Sequence, residues 1–387
     1  MGFWIYVLMI LKYKPQDFIV QEVYDLELLS LKIKKDTRKF YYYFLLTKTN
    51  YEQILAIKKI ANIFRKKIKD ITFCGRKDKD AITTQLICIQ NAKRILIDRN
   101  VDFINDNVEN MEIKYLGEFP SKLYIGDNTK NNFNIILRKM SIKNNNAQVY
   151  ENKYFLNFFG KQRFGFANTS HIIGKYILQN DFKNAIYCIL CSKSDNSSNQ
   201  YLDSFINHIV TQKIDNKENI DKAIDLCPNI LNNIKPILYY LQTNIQDYKG
   251  AFCVLSNKEK SFFISAYQSY IFNQSIQKFT FQYDDMLSLV CENENENENK
   301  HINEYENELL LKDKITRDNF KSLKEINIEF KSHKRDVYTK VSKLSYQILD
   351  DEHFEGFQKV ILDFSLNSGS YATNVIEQLS TENAWGN

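Results

Sequence analysis

Segments with strand character lie toward both ends of the chain and enclose a long helix-rich middle, and this order restricts the fold more than any other feature. Near the N terminus, alternating apolar residues and runs of aromatic and β-branched residues predict strands. These strands are expected at 17–24, 40–47, 71–73, 84–90, 113–116 and 131–138. Apolar residues recur at helical spacing from Ile57 to Phe64, which predicts an amphipathic helix over 51–68. Asn50 and Gln53 resemble a capping box at its start.

The middle of the chain has the periodicity of helices. They are expected at 170–192, 201–213, 218–242 and 261–279. Strand character returns at 359–365, followed by a turn at Gly369 and a short helix. We therefore predict an α+β fold whose mixed or mostly antiparallel sheet is built from both chain ends, with a helix-rich domain inserted between them. The predicted domains are 1–152 and 331–387 for the sheet part and 153–330 for the insertion.

Length and charge agree with this organisation. A chain of 387 residues is too long for one simple core and indicates two domains or a large insertion. Hydrophobic residues make up 44% of the chain, which supplies ample material for buried cores and argues against a disordered protein. The formal net charge of +5 permits a polyanionic partner without demanding one.

Cysteine usage and the N terminus favour a cytoplasmic protein. Seven cysteines without regular spacing do not resemble a disulfide scaffold, and a reducing compartment fits them best. Cys188 and Cys191 form a CxxC that lacks a second pair, and we interpret them as two buried thiols on a helix face rather than zinc ligands. Residues 1–11 are apolar but lack a cleavage site and are too short to span a bilayer. We expect an opening strand or a start-site extension there, and no membrane partner.

A dense group of charges lies between two predicted strands, in the segment CGRKDKDAITTQ. The charged residues are Arg76, Lys77, Asp78, Lys79 and Asp80. A carboxylate among cations is expected to stay ionised at neutral pH, where it can act as a nucleophile, a charge stabiliser or a metal ligand. Arg76 and Lys77 are suited to hold phosphates. The pattern fits an aspartate directed at a sugar–phosphate substrate, although on local evidence alone a plain charged surface turn is the stronger explanation.

The charged loop also resembles the G-x-KD-(R/K)-x-A-x-T-x-Q segment of the tRNA pseudouridine synthase D (TruD) family. Further segments resemble that family in the same order. They are LKYKPQDFIVQEV at 11–23, KLYIGDNTKNNFNIILR at 122–138, NFFGKQRFG at 157–165, SAYQSYIFN at 265–273 and LNSGSYATNVIEQL at 366–379. One such block is weak, but six blocks in order are specific and cover essentially the whole chain. We expect a member of the bacterial type of this family.

The resemblance implies an isomerase with a pseudouridine synthase core and an inserted TRUD-type domain. Its substrate and partner would be tRNA, with the uridine at position 13 converted to pseudouridine. The reaction detaches uracil from C1′ of the ribose, turns the base and rejoins it through C5, so the resemblance implies no cofactor and no metal. It makes Asp78 the catalytic residue and leaves open whether this carboxylate attacks the sugar, attacks the base or removes a sugar proton. We expect the chain to act as a monomer.

Five substrate-binding residues are expected, three of them from the resemblance and two from their charge. Phe133 matches the family's aromatic residue that packs on the flipped base, and Asn131 matches its partner in the same strand. Lys12 aligns with a basic residue near the aspartate that would hold Asp78 ionised and oriented. Arg76 and Lys77 are added because their charge suits RNA phosphates. From the residue pattern alone, by contrast, Phe133 is a core residue, Asn131 a turn residue and Lys12 a surface lysine.

Four positions depart from the family pattern. Cys74 replaces a small residue, Arg76 replaces a frequent leucine, Lys130 replaces a glycine and Asn367 replaces a proline. None of these changes removes the aspartate, the asparagine or the phenylalanine, so they concern the surface that meets the substrate.

Two alternatives belong to other functional classes. The first is a non-catalytic RNA-binding protein on the same fold, which predicts salt-dependent tRNA affinity without modified product. The second is a metal-dependent nuclease that uses Asp78 and Asp80, although metal sites usually gather more carboxylates than one loop provides.

Overall fold

A computed structural model describes most of the chain, which divides into two compact units. The described residues are 9–32, 39–92, 110–142, 148–165, 167–192, 200–292, 297, 299–328 and 333–381. The first unit combines Met1–Phe155 with Thr339–Asn387, and the second unit is Leu156–Tyr338.

The strands form one large sheet and one small one. Their bounds are β1 Ile10–Leu11, β2 Phe18–Val23, β3 Tyr41–Thr49, β4 Ile71–Phe73, β5 Ile82–Gln90, β6 Met111–Phe119, β7 Lys130–Met140, β8 Gln148–Leu156, β9 Met286–Ser288, β10 Lys334–Asp336, β11 Tyr338–Asp350 and β12 Gln358–Asn367. The large sheet has the order β6-β3-β5-β2-β7-β12-β11-β8, with β1 beside β7 and β4 beside β5, and β9 pairs with β10 separately. Strand β2 pairs with β5 in parallel, while β2, β3 and β12 make antiparallel pairs with their other neighbours. The predicted α+β fold with a mixed, mostly antiparallel sheet is confirmed.

Helices lie in both units. Their bounds are α1 Leu26–Ser30, α2 Gln53–Ile63, α3 Ser170–Leu178, α4 Phe182–Cys191, α5 Gln200–Gln212, α6 Lys217–Leu226, α7 Lys235–Thr243, α8 Tyr248–Cys253, α9 Asn257–Lys278, α10 Lys300–Lys312, α11 Asp318–Lys321 and α12 Ala372–Thr381. Short 3-10 helices are found at Pro15–Asp17, Ile68–Asp70, Lys161–Phe164, Asn229–Leu231 and Ser322–Ile326.

Strand β7 lies in the middle of the sheet and places Phe133 opposite Val20 of β2 and Phe364 of β12. Residues two apart in a strand share a face, so Asn131 and Ile135 lie on the same face as Phe133. Helix α12 packs on the core of this face, which includes Phe18, Val20, Ile135, Leu362, Phe364, Val375, Ile376 and Leu379. The alternation predicted for β7 therefore arises because this face of the strand packs on a core.

Helix α2 packs on a second core with the predicted apolar stripe, but it is shorter than the predicted 51–68. Its first turn is capped by Glu52, whose side chain accepts a hydrogen bond from the main chain of Leu55 at 2.7 Å. The predicted capping box at Asn50 is wrong because this residue has a left-handed φ of 47° and donates its N–H to the carbonyl of Ala81. At the other end, the left-handed residue Arg65 follows the helix C-cap.

The second unit contains helices α3 to α11, and two of the predicted helices are interrupted. The predicted helix at 170–192 is divided into α3 and α4 because Asn180 adopts a left-handed φ of 56°. Asp181 then caps α4 by accepting a hydrogen bond from the main chain of Asn184. The predicted helix at 218–242 is likewise divided into α6 and α7, since Pro228 lies between them and cannot continue a helix.

Two further expectations concern the termini and the thiols. The described part of the apolar N terminus begins at residue 9, and its strand β1 pairs with β7. Over the described ranges, we find no helix with the length and apolar character needed to cross a bilayer. All seven cysteines are free thiols. Cys188 and Cys191 lie on α4 as predicted, but both are half-buried rather than buried.

Candidate active site

The charged loop connects β4 to β5 and presents Asp78 at a partly accessible position. Arg76, Lys79 and Asp80 are exposed, whereas Lys77 and Asp78 are half-buried. The side chain of Asp78 is 33% exposed. Its carboxylate can therefore meet a ligand while part of it is held by the protein.

Lys12 contacts this carboxylate from a distant part of the sequence. It follows β1 with a left-handed φ of 59°, a region that side chains other than Asn, Asp and Gly seldom adopt. From there Lys12 donates a hydrogen bond from Nζ to Oδ2 of Asp78 at 2.6 Å. The same Nζ lies 4.2 Å from the centroid of the Phe18 ring. Lys12 thus joins a charge-assisted hydrogen bond to a cation–π contact, and both fix its direction.

A buried arginine holds the segment that follows Lys12. Arg138 is 0% exposed and donates from Nε and Nη2 to the two carboxylate oxygens of Asp17, at 2.7 and 2.8 Å. It also donates from Nη1 to Oδ1 of Asp351 at 2.9 Å. A bidentate contact fixes orientation as well as distance. The turn Pro15–Asp17 therefore has a defined position, which in turn defines the approach of Lys12.

Three buried polar side chains bind the main chain of the charged loop. Lys48 of β3 donates from Nζ to the carbonyl oxygen of Asp78. Gln53 of α2 and Gln85 of β5 both donate to the carbonyl oxygen of Gly75, at 3.2 and 3.4 Å. The three side chains are at most 3% exposed. Because buried polar groups require partners, these contacts define one path for the loop.

Lys77 has a partner within the protein. Its ammonium group forms an ion pair with Glu22 of β2, and the two side chains are 11% and 0% exposed. Lys77 also donates its main-chain N–H to Oε1 of Gln53. The sequence predicted a phosphate contact for Lys77, whereas in the structure its side chain contacts a buried carboxylate and anchors the loop.

Burial shifts the pKa of two of these anchoring residues. It raises the pKa of Glu22 above its ordinary value, against the opposing attraction of Lys77. It also lowers the pKa of Lys48 to about 8, although Asp78 favours the charged ammonium form. The loop therefore rests on groups whose charge is more sensitive to pH than the charge of exposed side chains.

Phe133 lies in a stack of aromatic rings beside Lys12. It is half-buried and stacks on Phe364 with a centroid distance of 5.3 Å and an interplanar angle of 22°. It also meets the ring of Phe18 edge-on at 6.3 Å. Because Phe18 contacts both Phe133 and Lys12, it connects the aromatic residue to the Lys12–Asp78 pair.

Asn131 precedes Phe133 by two residues and lies directly opposite Glu22 in the sheet. It is 8% exposed. Within the described part of the chain, its side-chain oxygen has no hydrogen-bond partner. An unpaired buried acceptor is uncommon and is suited to a donor supplied by a ligand.

The structure thus connects most of the predicted site residues. Asp78, Lys12 and Phe133 are linked through Phe18, and a second set of contacts joins Lys77 to Glu22, opposite Asn131. Arg76 is exposed on the loop itself. Over the described residues, no group of three or more His, Cys, Asp or Glu side chains is placed to hold a metal ion.

Sequence reasoning missed the anchoring residues Lys48, Gln53 and Glu22. One pattern was available for two of them: in β2 and β3 a charged residue occupies an inward position of an alternating strand. Gln53 carried no comparable signal, because a glutamine at the start of a helix is usually solvated.

Comparison with known proteins identifies relatives over nearly the whole chain. A family model described as tRNA pseudouridine synthase D (TruD) matches residues 7–292 and 285–379. A protein of Methanocaldococcus jannaschii named "Probable tRNA pseudouridine synthase D 1" is 27% identical over 95% of this chain and 94% of its own length. The tRNA pseudouridine synthase D of Aquifex aeolicus is 29% identical over 70% of this chain and 67% of its own length.

A solved structure has the same fold. The crystal structure of a TruD protein from Methanosarcina mazei superimposes with a TM-score of 0.70 and 22% identity, covering 94% of this chain and 92% of the other. Relatives from methanogenic archaea are similar to this chain, as is the Aquifex protein. The expected bacterial type therefore has no support from these comparisons.

Proposed function

This chain belongs to the tRNA pseudouridine synthase D (TruD) family, and from that premise we propose that it isomerises uridine to pseudouridine in tRNA with Asp78 as the catalytic residue. The proposed target is the uridine at position 13. Catalysis is assigned to the sheet domain formed by residues 1–152 and 331–387, with 153–330 as the inserted domain. The enzyme would act as a monomer where tRNA is found, in the cytoplasm.

The observation that carries this proposal is the contact between Lys12 and Asp78. A carboxylate that accepts a hydrogen bond from an ammonium group at 2.6 Å is favoured in its ionised form. An ionised, partly accessible aspartate provides the negative charge that the reaction needs close to C1′ of the ribose or to the base. The bond from C1′ to N1 of uracil breaks, a bond from C1′ to C5 forms, and the hydrogen on C5 is released to water as N1 gains one. The isomerisation therefore needs no oxidant and no group donor.

Phe133 and Asn131 are the residues proposed to bind the flipped base. A base that leaves its stack needs a new aromatic contact, and stacking on an aromatic side chain contributes about 1–3 kcal/mol per base. The half-buried ring of Phe133 supports this role, since one part contacts Phe364 and another part is accessible. The unpaired side-chain oxygen of Asn131 would accept a hydrogen bond from an N–H of uracil.

The remaining predicted residues divide between the RNA and the protein. Arg76 is exposed and remains our candidate for a phosphate contact. Lys77 is assigned to the protein instead, because it forms an ion pair with Glu22. Lys12 is proposed to orient Asp78 rather than to bind the phosphate backbone.

The direct test is tRNA from a strain that lacks this gene, probed for pseudouridine by carbodiimide modification and primer extension. We expect position 13 to carry uridine in the deletion strain and pseudouridine after the gene is restored. Modification that persists in the deletion strain would contradict the proposal. Purified protein that binds unmodified tRNA in a salt-dependent manner, yet forms no pseudouridine, would instead favour the non-catalytic RNA-binding alternative.

A further inference from the structure

We propose that Lys48 is a positioning residue for this reaction: it fixes the main chain of the charged loop at Asp78, so that the carboxylate stays directed toward Lys12. The inference rests on the proposed function, because it concerns the step that Asp78 carries out. Lys48 is 1% exposed. It therefore acts through Asp78 and not through contact with the RNA.

The position of Lys48 in the sheet directs its ammonium group at the loop. It lies near the end of β3, opposite Thr83 of β5, the strand that the loop enters. Its Nζ donates a hydrogen bond to the carbonyl oxygen of Asp78. A charged donor binds a carbonyl more strongly than a neutral one does. The main chain of the catalytic residue is therefore held by a group that belongs to the rigid sheet.

This contact differs from the other anchors in where it acts. Gln53 and Gln85 hold the loop at Gly75, and Gln53 also accepts the main-chain N–H of Lys77, so both act before the aspartate. Glu22 holds the side chain of Lys77. Lys48 holds the main-chain carbonyl of Asp78 itself. Removing the Lys48 side chain should therefore change the direction of the Asp78 carboxylate, while the other anchors keep the loop in place.

Charged groups from two elements surround the ammonium of Lys48. In the loop, Asp78 and Asp80 favour its protonated form and Lys77 opposes it, while Glu52 at the start of α2 favours it. Burial outweighs these attractions and lowers the pKa of Lys48 to about 8. Lys48 therefore loses its charge within the pH range in which tRNA can be assayed, and the neutral amine holds the carbonyl less firmly.

The first experiment compares Lys48→Met with a matched control. Lys260 of α9 is 2% exposed and also donates from Nζ to a main-chain carbonyl, that of Ile326 at 2.8 Å, within the second unit. For Lys48→Met we expect kcat to fall about 100-fold with little change in KM for tRNA, because a small displacement of a reacting group has an effect of that order. Lys260→Met loses an equivalent hydrogen bond and should keep its kcat.

The second experiment measures the pH profile of single-turnover catalysis. The parent rate should fall as pH rises through about 8, where Lys48 loses its proton. In Lys48→Arg the guanidinium stays charged, so this alkaline limb should move upward by at least about one pH unit. A residue that only contributes to stability would not shift the limb. If Lys48→Met does not fold, the pH profile of Lys48→Arg by itself tests the role of Lys48.

A third measurement keeps this inference separate from the proposed function. Trypsin cleaves after Arg76 or Lys77 when the loop opens, whether or not the protein modifies tRNA. Cleavage there should be about tenfold faster in Lys48→Met, a factor typical of losing one hydrogen bond to a charged group. Parent protein that makes no pseudouridine refutes the proposed function and leaves this readout intact. Unchanged loop cleavage, an unchanged kcat or an alkaline limb that stays in place in Lys48→Arg overturns the role of Lys48.

Discussion

Lys12 donates a hydrogen bond to Asp78 at 2.6 Å although the two residues are 66 positions apart in the chain. The contact exists because β1 pairs with β7 and leaves Lys12 at a left-handed turn beside the charged loop. Asp78 thereby gains an oriented donor, while its side chain remains 33% exposed. A catalytic carboxylate needs both properties, since it must be oriented and still reach its substrate.

Replacing the carboxylate with an amide tests the role of Asp78. Asp78→Asn keeps the size of the side chain and removes its charge, so we expect turnover to be abolished and tRNA affinity to be largely retained. Release of tritium from uracil labelled at C5 measures turnover, and filter binding measures affinity. Asp80→Asn is the matched control, because Asp80 is an exposed carboxylate of the same loop and should be dispensable. Full activity in Asp78→Asn would refute the assignment.

Lys12 can be tested without disturbing its backbone. Asparagine tolerates a left-handed φ better than most residues but is too short to reach Asp78, so Lys12→Asn removes the ammonium alone. A hydrogen bond between charged groups is worth about 1.5–3 kcal/mol, which predicts a fall in kcat of about 10- to 100-fold. The thermal midpoint should change little.

Lys14→Asn is the control for this prediction. Lys14 belongs to the same segment, and its Nζ lies 3.1 Å from the His353 ring nitrogen rather than beside the aspartate. It should retain the parent kcat. Equal losses in the two variants would indicate a general disturbance of the segment and would argue against a specific role for Lys12.

Phe133 should contribute to tRNA modification through its ring. In Phe133→Leu the site stays apolar but the aromatic face is lost, so kcat/KM should fall by a factor that corresponds to about 1–3 kcal/mol. Phe364→Leu removes the same ring-to-ring contact from the protein while leaving Phe133 in place. Steady-state kinetics and thermal melting of both variants separate the roles: similar melting with a larger kinetic loss in Phe133→Leu is expected. Identical kinetics in the two variants would mean that Phe133 is only a core residue.

Local pattern predicted the elements of this fold better than their ends. The stripe of α2 and the alternation of β7 follow directly from one-sided burial, and both were predicted. The break at Asn180 depends on a single left-handed residue in an otherwise helical run, which periodicity does not detect. The parallel pairing of β2 with β5 depends on contacts between distant parts of the sequence, and no local rule specifies it.

The same limit applies to the candidate site. The charged loop was conspicuous in the sequence, and its aspartate was selected from the family resemblance. That Lys77 points toward Glu22 could not be predicted, because a lysine in a charged loop is ordinarily solvated. Lys48 likewise resembles a routine strand residue until the sheet places it under the loop. Sequence identified the groups proposed to face the ligand, whereas tertiary packing determined which residues hold them.

Acid should weaken the fold through the carboxylates around Arg138. The pKa of Asp351 lies below its ordinary value: burial would raise it, but hydrogen bonds from the main chain of Lys139 and His353 and from Arg138 outweigh that effect. A hydrogen bond from Lys359, with further help from Arg138, lowers the pKa of Glu352 to about 2 from 4.5. Because Glu352 is 46% exposed, solvent screens this interaction and the buried Asp351 accounts for most of the effect. As pH falls, the carboxylates of the unfolded chain bind protons before those of the folded chain do. The stabilisation is therefore present above about pH 4.5 and is lost as pH falls toward 2.

Arg138→Met should show how much the ion pairs around Arg138 contribute to the free energy of unfolding. The substitution leaves the carboxylates of Asp17 and Asp351 buried without their cation, and breaking a buried ion pair in this way lowers the free energy of unfolding by about 3–5 kcal/mol. Urea titration at neutral pH measures the loss. Lys359→Met is the control, because its partner Glu352 is 46% exposed and exposed pairs contribute little. Since the turn that follows Lys12 depends on Arg138, kcat should fall as well. A variant that unfolds at the urea concentration of the parent would show that hydrophobic packing alone holds this turn.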